Sequence, residues 1–195
     1  MTWLLTLDAL GTVLGLLYLW LEYRASIWLW LVSLLMYAID LWIYFDRGLY
    51  AKFGIALFSL SLVVYGWTRW GRANRQRKPR ISRIQPTLAI RCGIGTLLLW
   101  VILYLILNHL TDSRVPLADG LAGAISITAL WMLARGYAEQ WLAWFVADIL
   151  YAVLCFYKGV PFHGSLYVFY VGMAALGYRK WLRILAQEKM NGLSR

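Results

Sequence analysis

The chain has 195 residues, 62% of them hydrophobic and only 14% charged, and its 19 Lys and Arg outnumber nine Asp and Glu to give a formal charge of +10. A soluble domain of this size would be about a quarter charged, so the composition excludes an ordinary water-soluble fold and predicts an all-α integral membrane protein. The 12 Trp and 13 Tyr fit the aromatic belts of membrane interfaces.

In chain order, seven apolar segments are each long enough, at roughly 17 to 23 residues, to cross a bilayer as a helix. They run Trp3–Leu21, Ile27–Phe45, Phe53–Trp70, Leu88–Leu110, Leu117–Ala134, Gln140–Tyr157 and Ser165–Leu182. The first lacks a basic n-region and a small-residue cleavage site, so it reads as a retained span. Most connections are short, which makes successive helices antiparallel neighbours. The exception is Gly71–Thr87, where Arg72, Arg75, Arg77, Lys78, Arg80 and Arg83 occur without one acid.

A basic run of this kind stays cytoplasmic and reads as a solvated inside loop, not a nucleic-acid-binding element. The N-terminus is then outside and the C-terminus inside. The 19 basic residues divide 15 inside against 4 outside, the latter being Arg47, Lys52, Arg114 and Lys158.

The segment Gln140–Tyr157, QWLAWFVADILYAVLCFY, sets Trp141, Trp144, Asp148, Tyr151 and Cys155 at alternating steps of three and four, along a single helix face. A carboxylate inside a span costs a few kcal/mol on insertion scales and faces a polar cavity or partner, which marks a functional site. Ile27–Phe45 repeats the pattern with Trp30, Ser33, Tyr37, Asp40 and Tyr44. Two stripes of acids and aromatics predict one shared pocket.

An offset of 111 residues pairs Asp8 with Asp119, Arg24 with Arg135, Trp30 with Trp141, Gly48 with Gly159, Gly66 with Gly177 and Trp70 with Trp181. It maps the first three spans onto the last three and leaves the fourth as a connector. That helix lets the second repeat enter the membrane in the same direction as the first, a three-plus-one-plus-three parallel repeat. The predicted organisation is residues 1–70 as the first three-helix repeat, 71–110 as basic loop and linker helix, 111–182 as the second repeat, and 183–195 as a cytoplasmic tail. The offset sets Tyr37 opposite Asp148 and Asp40 opposite Tyr151, so each repeat contributes one acid and one tyrosine in exchanged order.

The chain carries no HExxH, GxSxG, clustered His or phosphate-binding glycine loop, which argues against an enzyme or a nucleotide-driven pump. His109 and His163 stand singly, and Cys92 and Cys155 read as small buried hydrophobes, so neither a metal nor another cofactor is expected. Gly11, Gly15, Gly93, Gly95, Gly120 and Gly123 read as helix-packing residues. Proton coupling through Asp40 or Asp148 stays open beside simple uniport.

The first half carries GTVLGLLYLWLEYRASIWLW, DRGLYA and YGWTRW, and the second MLARGYAEQWLAWFVADILY, FYKGV and GYRKW. In these stretches the chain resembles the PnuC family of vitamin transporters. It runs from about Leu4 to Leu182. The resemblance implies a seven-helix fold like that of SWEET sugar transporters, in the bacterial cytoplasmic membrane, assembled as a homotrimer. It implies facilitated diffusion of a small vitamin that is trapped inside by phosphorylation. Nicotinamide riboside transporters of the family are similar in carrying an asparagine in the second and sixth helices, where this chain has Met36 and Asp148. The LEYRAS and RGYAEQW stretches are more similar to thiamine-type members. The expected substrate is therefore a cationic vitamin, thiamine first, nicotinamide riboside second, riboflavin or a close analogue behind. Its ring is expected against Trp141, Trp144 or Trp67 and its charge near Asp148, with Tyr37, Asp40, Tyr44, Tyr65, Tyr151 and Tyr170 completing the wall.

Overall fold

The computed structural model describes residues 2–46, 48–75, 81–111 and 113–193, without the side chains of 2–10, 74–75, 189 and 191–193. Arg47, Arg77, Lys78, Arg80 and Arg195, which weigh in the charge count, lie outside the described residues. Among those described, the chain forms seven helices: α1 Thr2–Tyr23, α2 Leu29–Asp46, α3 Tyr50–Arg75, α4 Pro86–Leu110, α5 Pro116–Arg135, α6 Gln140–Tyr157 and α7 Pro161–Leu193. Five of them, α2 to α6, are long and apolar enough to cross a membrane. The chain divides into two compact units, Met1–Arg80 and Ile81–Arg195.

Two boundaries move from the sequence expectation. The basic run does not form a free loop from Gly71, because α3 continues to Arg75 and α4 begins at Pro86. The helix continues past the expected span end at Leu182, since α7 runs for 33 residues, roughly 50 Å at 1.5 Å per residue. Residues 183–190, RILAQEKM, are helix formers with no Gly or Pro to stop the helix.

In the first unit α2 packs against α1 and α3. The indole of Trp30 is wholly buried and meets that of Trp70 edge-on, with ring centroids 5.6 Å apart and planes at 84°. Gly66 makes this possible, because a Cβ there would collide with the Trp30 ring. The α1–α2 turn is closed by Ala25 N–H to Glu22 C=O and Ser26 N–H to Leu21 C=O, both 2.9 Å. This pair of bonds places Ala25 at φ 51°, the left-handed cap conformation usually left to glycine. The α2–α3 turn closes in the same way, through Gly48 N–H to Phe45 C=O and Leu49 N–H to Tyr44 C=O.

The second unit contains the same devices. Trp141 meets Trp181 edge-on at 5.8 Å and 88°, and a Cβ on Gly177 would lie 2.6 Å from the Trp141 ring. The α5–α6 turn closes through Gly136 N–H to Leu133 C=O and Tyr137 N–H to Met132 C=O, with Gly136 at φ 77°. The α6–α7 turn uses Gly159 and Val160 in the same two bonds. Every residue in these four turn bonds and in this Trp–Trp–Gly lock stands 111 positions after its counterpart in the first unit.

The fourth helix belongs to the second compact unit. It lies against α5, where Gly120 brings the backbone of Tyr104 so close that a Cβ would be 3.1 Å from its nitrogen. Thr96 and Thr128 hydroxyls meet at 2.8 Å, and the Trp100 indole donates to the Leu117 carbonyl at 2.9 Å. Gly123 also packs, against Leu103, whereas a Cβ on Gly11, Gly93 or Gly95 would meet nothing. Ahead of α4, Ser82 bridges to the α5–α6 turn through its N–H to Gly136 C=O and its C=O from Ala138 N–H. The Glu139 carboxylate then takes the Ile84 N–H at 3.0 Å and an ion pair with Arg83. The hydrogen bond that Arg83 Nε donates to Glu139 holds the guanidinium still more firmly in its charged form.

At the opposite end of α5, Lys158 pairs with both oxygens of Asp119 at 2.6 and 2.8 Å, and the Ser113 hydroxyl donates to the same carboxylate at 2.6 Å. Asp119 sits in the first turn of α5, where a negative charge also faces the favourable end of the helix dipole.

Candidate functional site

α6 carries the polar line of the second unit. Gln140, Trp144 and Asp148 follow at steps of four, then Tyr151 and Cys155, so all five share one helix face. Tyr151 stacks on Tyr167 of α7, centroids 5.0 Å apart and planes 23° from parallel. Tyr170, one turn further along α7, meets Tyr167 edge-on at 5.8 Å. The Tyr151 hydroxyl lies 3.5 Å from that of Ser126 on α5, whose proton is already given to the Ala122 carbonyl. Asp148 is 7% exposed and within electrostatic reach of the phenols of Tyr151, Tyr167 and Tyr170. Three helices thus bring one acid, three tyrosines and a serine together.

Among the described residues no Lys, Arg or backbone N–H pairs with Asp148. An uncompensated acid at the centre of a span costs about 2.5–3.5 kcal/mol on insertion scales. Among the described residues no ion pair of the second unit offsets that cost. The aromatic faces around it suit a flat ring, and cation–π attraction adds about 0.5–2 kcal/mol per good contact. The cluster is thus equipped to hold a planar group that carries positive charge.

Trp141 behaves differently from its neighbours on the stripe. It is 1% exposed and occupied by the lock with Trp181 and Gly177, so its indole offers no open face to a ring. Trp144, one turn on, is half-buried, and its Nε1 is buried without a hydrogen-bond partner among the described residues.

Tyr37, Asp40, Tyr44, Tyr65 and Trp67 belong to the first unit. Tyr37, Asp40 and Tyr44 share one face of α2 and are each half-buried, following the buried Trp30 and Ser33, whose hydroxyl donates to Leu29 C=O at 2.8 Å. Tyr65 and Trp67 are 37% and 41% exposed and, being two residues apart, leave α3 in different directions.

Tyr167, Ser126 and Gln140 were not singled out by the sequence reading. Tyr167 stands three residues before Tyr170, the same helical step that exposed the α6 stripe. Gln140 opens the segment QWLAWFVADILY and is 0% exposed, yet neither its Oε1 nor its Nε2 has a partner among the described residues. A buried amide left in that condition costs about 1–3 kcal/mol.

Helices of membrane-spanning length that enclose a charged and aromatic cluster define a polytopic membrane protein with a binding site among its own helices. Residues 5–183 match the family model described as nicotinamide mononucleotide transporter, and the chain belongs to that family. It is a PnuC-family vitamin transporter of the inner membrane, not an enzyme. It is 29% identical over 181 residues to the riboflavin/roseoflavin transporter RibM of Streptomyces davaonensis, covering 89% of this chain and 83% of that protein. It is 22% identical over 217 residues to the nicotinamide riboside transporter PnuC of Escherichia coli strain K12, covering 96% and 90%. The crystal structure of the vitamin B3 transporter PnuC superposes with a TM-score of 0.69 at 20% identity, over 91% of this chain and 80% of that one, which shows a shared fold.

Proposed function

We propose that this chain moves a flat, cationic B vitamin, thiamine first, by facilitated diffusion, and holds it at Asp148 with Trp144, Tyr151, Tyr167 and Tyr170. The observation that carries the reading is Asp148 itself, an acid inside a span that has aromatic residues around it and no cation paired with it among the described residues. A thiazolium or a pyridinium supplies that charge, and the tyrosine hydroxyls then read the polar groups of a pyrimidine or ribose. Nicotinamide riboside is the second cationic candidate, supported by the Escherichia coli relative. Riboflavin is the reading that the RibM likeness favours, and its neutral ring leaves Asp148 without a charge to meet.

The proposal includes two parallel three-helix repeats, supported by the turn bonds and Trp–Trp–Gly locks spaced at 111 residues. It also places the N-terminus outside and the C-terminus inside, supported by the 15 to 4 division of basic residues. A reporter fused after Arg195 should behave as cytoplasmic, and activity of that fusion in the periplasm would reverse the orientation.

The substrate is tested by titrating the purified protein with thiamine, nicotinamide riboside and riboflavin, then following the bound vitamin into liposomes. We expect tightest binding of thiamine and equilibration of the label without ATP, proton or sodium gradients. Tight riboflavin binding without thiamine binding overturns the substrate, and accumulation driven by an imposed gradient overturns the uniport.

A further inference from the structure

We infer that Gln140 is a second polar contact for the transported vitamin, one helical turn beyond Trp144 and two turns from Asp148, at the α5–α6 end of the path. The inference rests on the transport reading above and adds a residue to it. Gln140 is fully buried, and both its amide oxygen and its amide nitrogen lack a partner among the described residues. The Trp144 Nε1 on the same face is in the same condition. Asp148 continues that face, so three groups with unmet hydrogen-bonding or charge capacity follow one another along α6.

The fold does not ask for an amide at this position. Leu29 stands 111 residues earlier, at the first position of α2, beside a Trp30 that makes the same lock as Trp141, and it too is 0% exposed. An apolar side chain therefore fills the equivalent place in the first unit. The groups nearest in sequence are already engaged. The Gln140 N–H donates to Tyr137 C=O at 3.2 Å, Ala138 N–H is given to Ser82, and the Glu139 carboxylate is taken by Ile84 N–H and Arg83. The side-chain amide is left with one acceptor and two donors, a combination that matches an uncharged polar group such as a hydroxyl, an amine or a ring nitrogen. Asp148 takes the charge of the vitamin. Gln140, roughly 12 Å away along the helix axis, then takes its neutral polar end as it moves on.

The test uses Gln140→Leu, which installs the residue of the first unit, and Gln140→Met, which keeps the length of the side chain without its polar atoms. Melting temperature and uptake into liposomes are measured with whichever of the three vitamins the wild type binds. Removing an unpaired buried amide should leave both variants melting at or above the wild-type temperature. Uptake should fall about fivefold or more, the loss of roughly one hydrogen bond, with equilibrium affinity at Asp148 changing far less. A lowered melting temperature with wild-type uptake per folded molecule would make Gln140 a packing residue and overturn the inference, as would wild-type behaviour in both measurements. A wild type that binds none of the three vitamins removes the proposed substrates and the role of Gln140 together. A wild type that binds one and is unmoved by Gln140→Leu removes the role of Gln140 alone.

Discussion

Asp148→Asn is expected to weaken binding of a cationic vitamin about ten- to a hundredfold, the loss of roughly 1 to 3 kcal/mol from one partly desolvated charge contact. The substitution keeps volume and helix geometry, so the tyrosine stack on α6 and α7 should remain. Its effect on folding should run the other way: a buried acid without a cation opposes insertion, and the amide should leave stability equal or higher. Opposite signs in affinity and stability are the signature of a residue held for a ligand. A packing acid would give lower stability with unchanged affinity, and that result would dissolve the site. Riboflavin serves as the internal control, because a neutral ring should be nearly indifferent to the change.

The second large effect is on the frame. Gly177→Ala should destabilise the protein by about 1–3 kcal/mol, the usual cost of overpacking, although Ala in place of Gly in a helix ordinarily gains about 0.5–1 kcal/mol. The reversal comes from the Trp141 ring, which stands 2.6 Å from the position of the new Cβ and is itself pinned edge-on by Trp181. In a Trp141→Leu background the penalty should vanish, since the two positions then no longer collide. A denaturation series of the four proteins in detergent measures the coupling. Additive effects, or a Gly177→Ala protein as stable as the wild type, would show that the indole yields freely. Gly66→Ala repeats the test on Trp30 in the first unit.

Much of this was legible in the sequence because membrane insertion leaves coarse marks. α6 begins and ends where its apolar run does, and Asp148 stood out because an acid inside such a run is costly. Gly48 and Gly159 announced their turns through the residue type that turns prefer. Ala25 could not, because alanine carries no left-handed preference and the conformation is imposed by two backbone hydrogen bonds. Tyr167 was hidden among 13 tyrosines, most of which an interface belt would account for. Gln140 escaped because a polar residue at the start of a span is expected to reach water, and only the fold reveals that it is fully buried. The extension of α7 was missed because charge in RILAQEKM ended the apolar run without ending the helix. Trp141 was offered with Trp144 and Trp67 as a wall for the vitamin ring, and its burial depends on Gly177, 36 residues further along the chain.

Among the residues that agree between the two units at an interval of 111 are all those of the locks, and the turns repeat bond for bond even where Ala25 stands for Gly136. The face of α6 that carries Gln140, Trp144 and Asp148 differs from its counterpart on α2, with Leu29 against Gln140, Ser33 against Trp144 and Tyr37 against Asp148. The two kinds of position answer to separate demands. Bolting each three-helix piece together by tryptophan, glycine and main chain leaves its inward vocabulary unconstrained, so one copy can be rewritten for a new cargo while the other keeps its wording. With the vitamin held on α6 as proposed, retargeting such a carrier becomes an edit to a few letters of that helix.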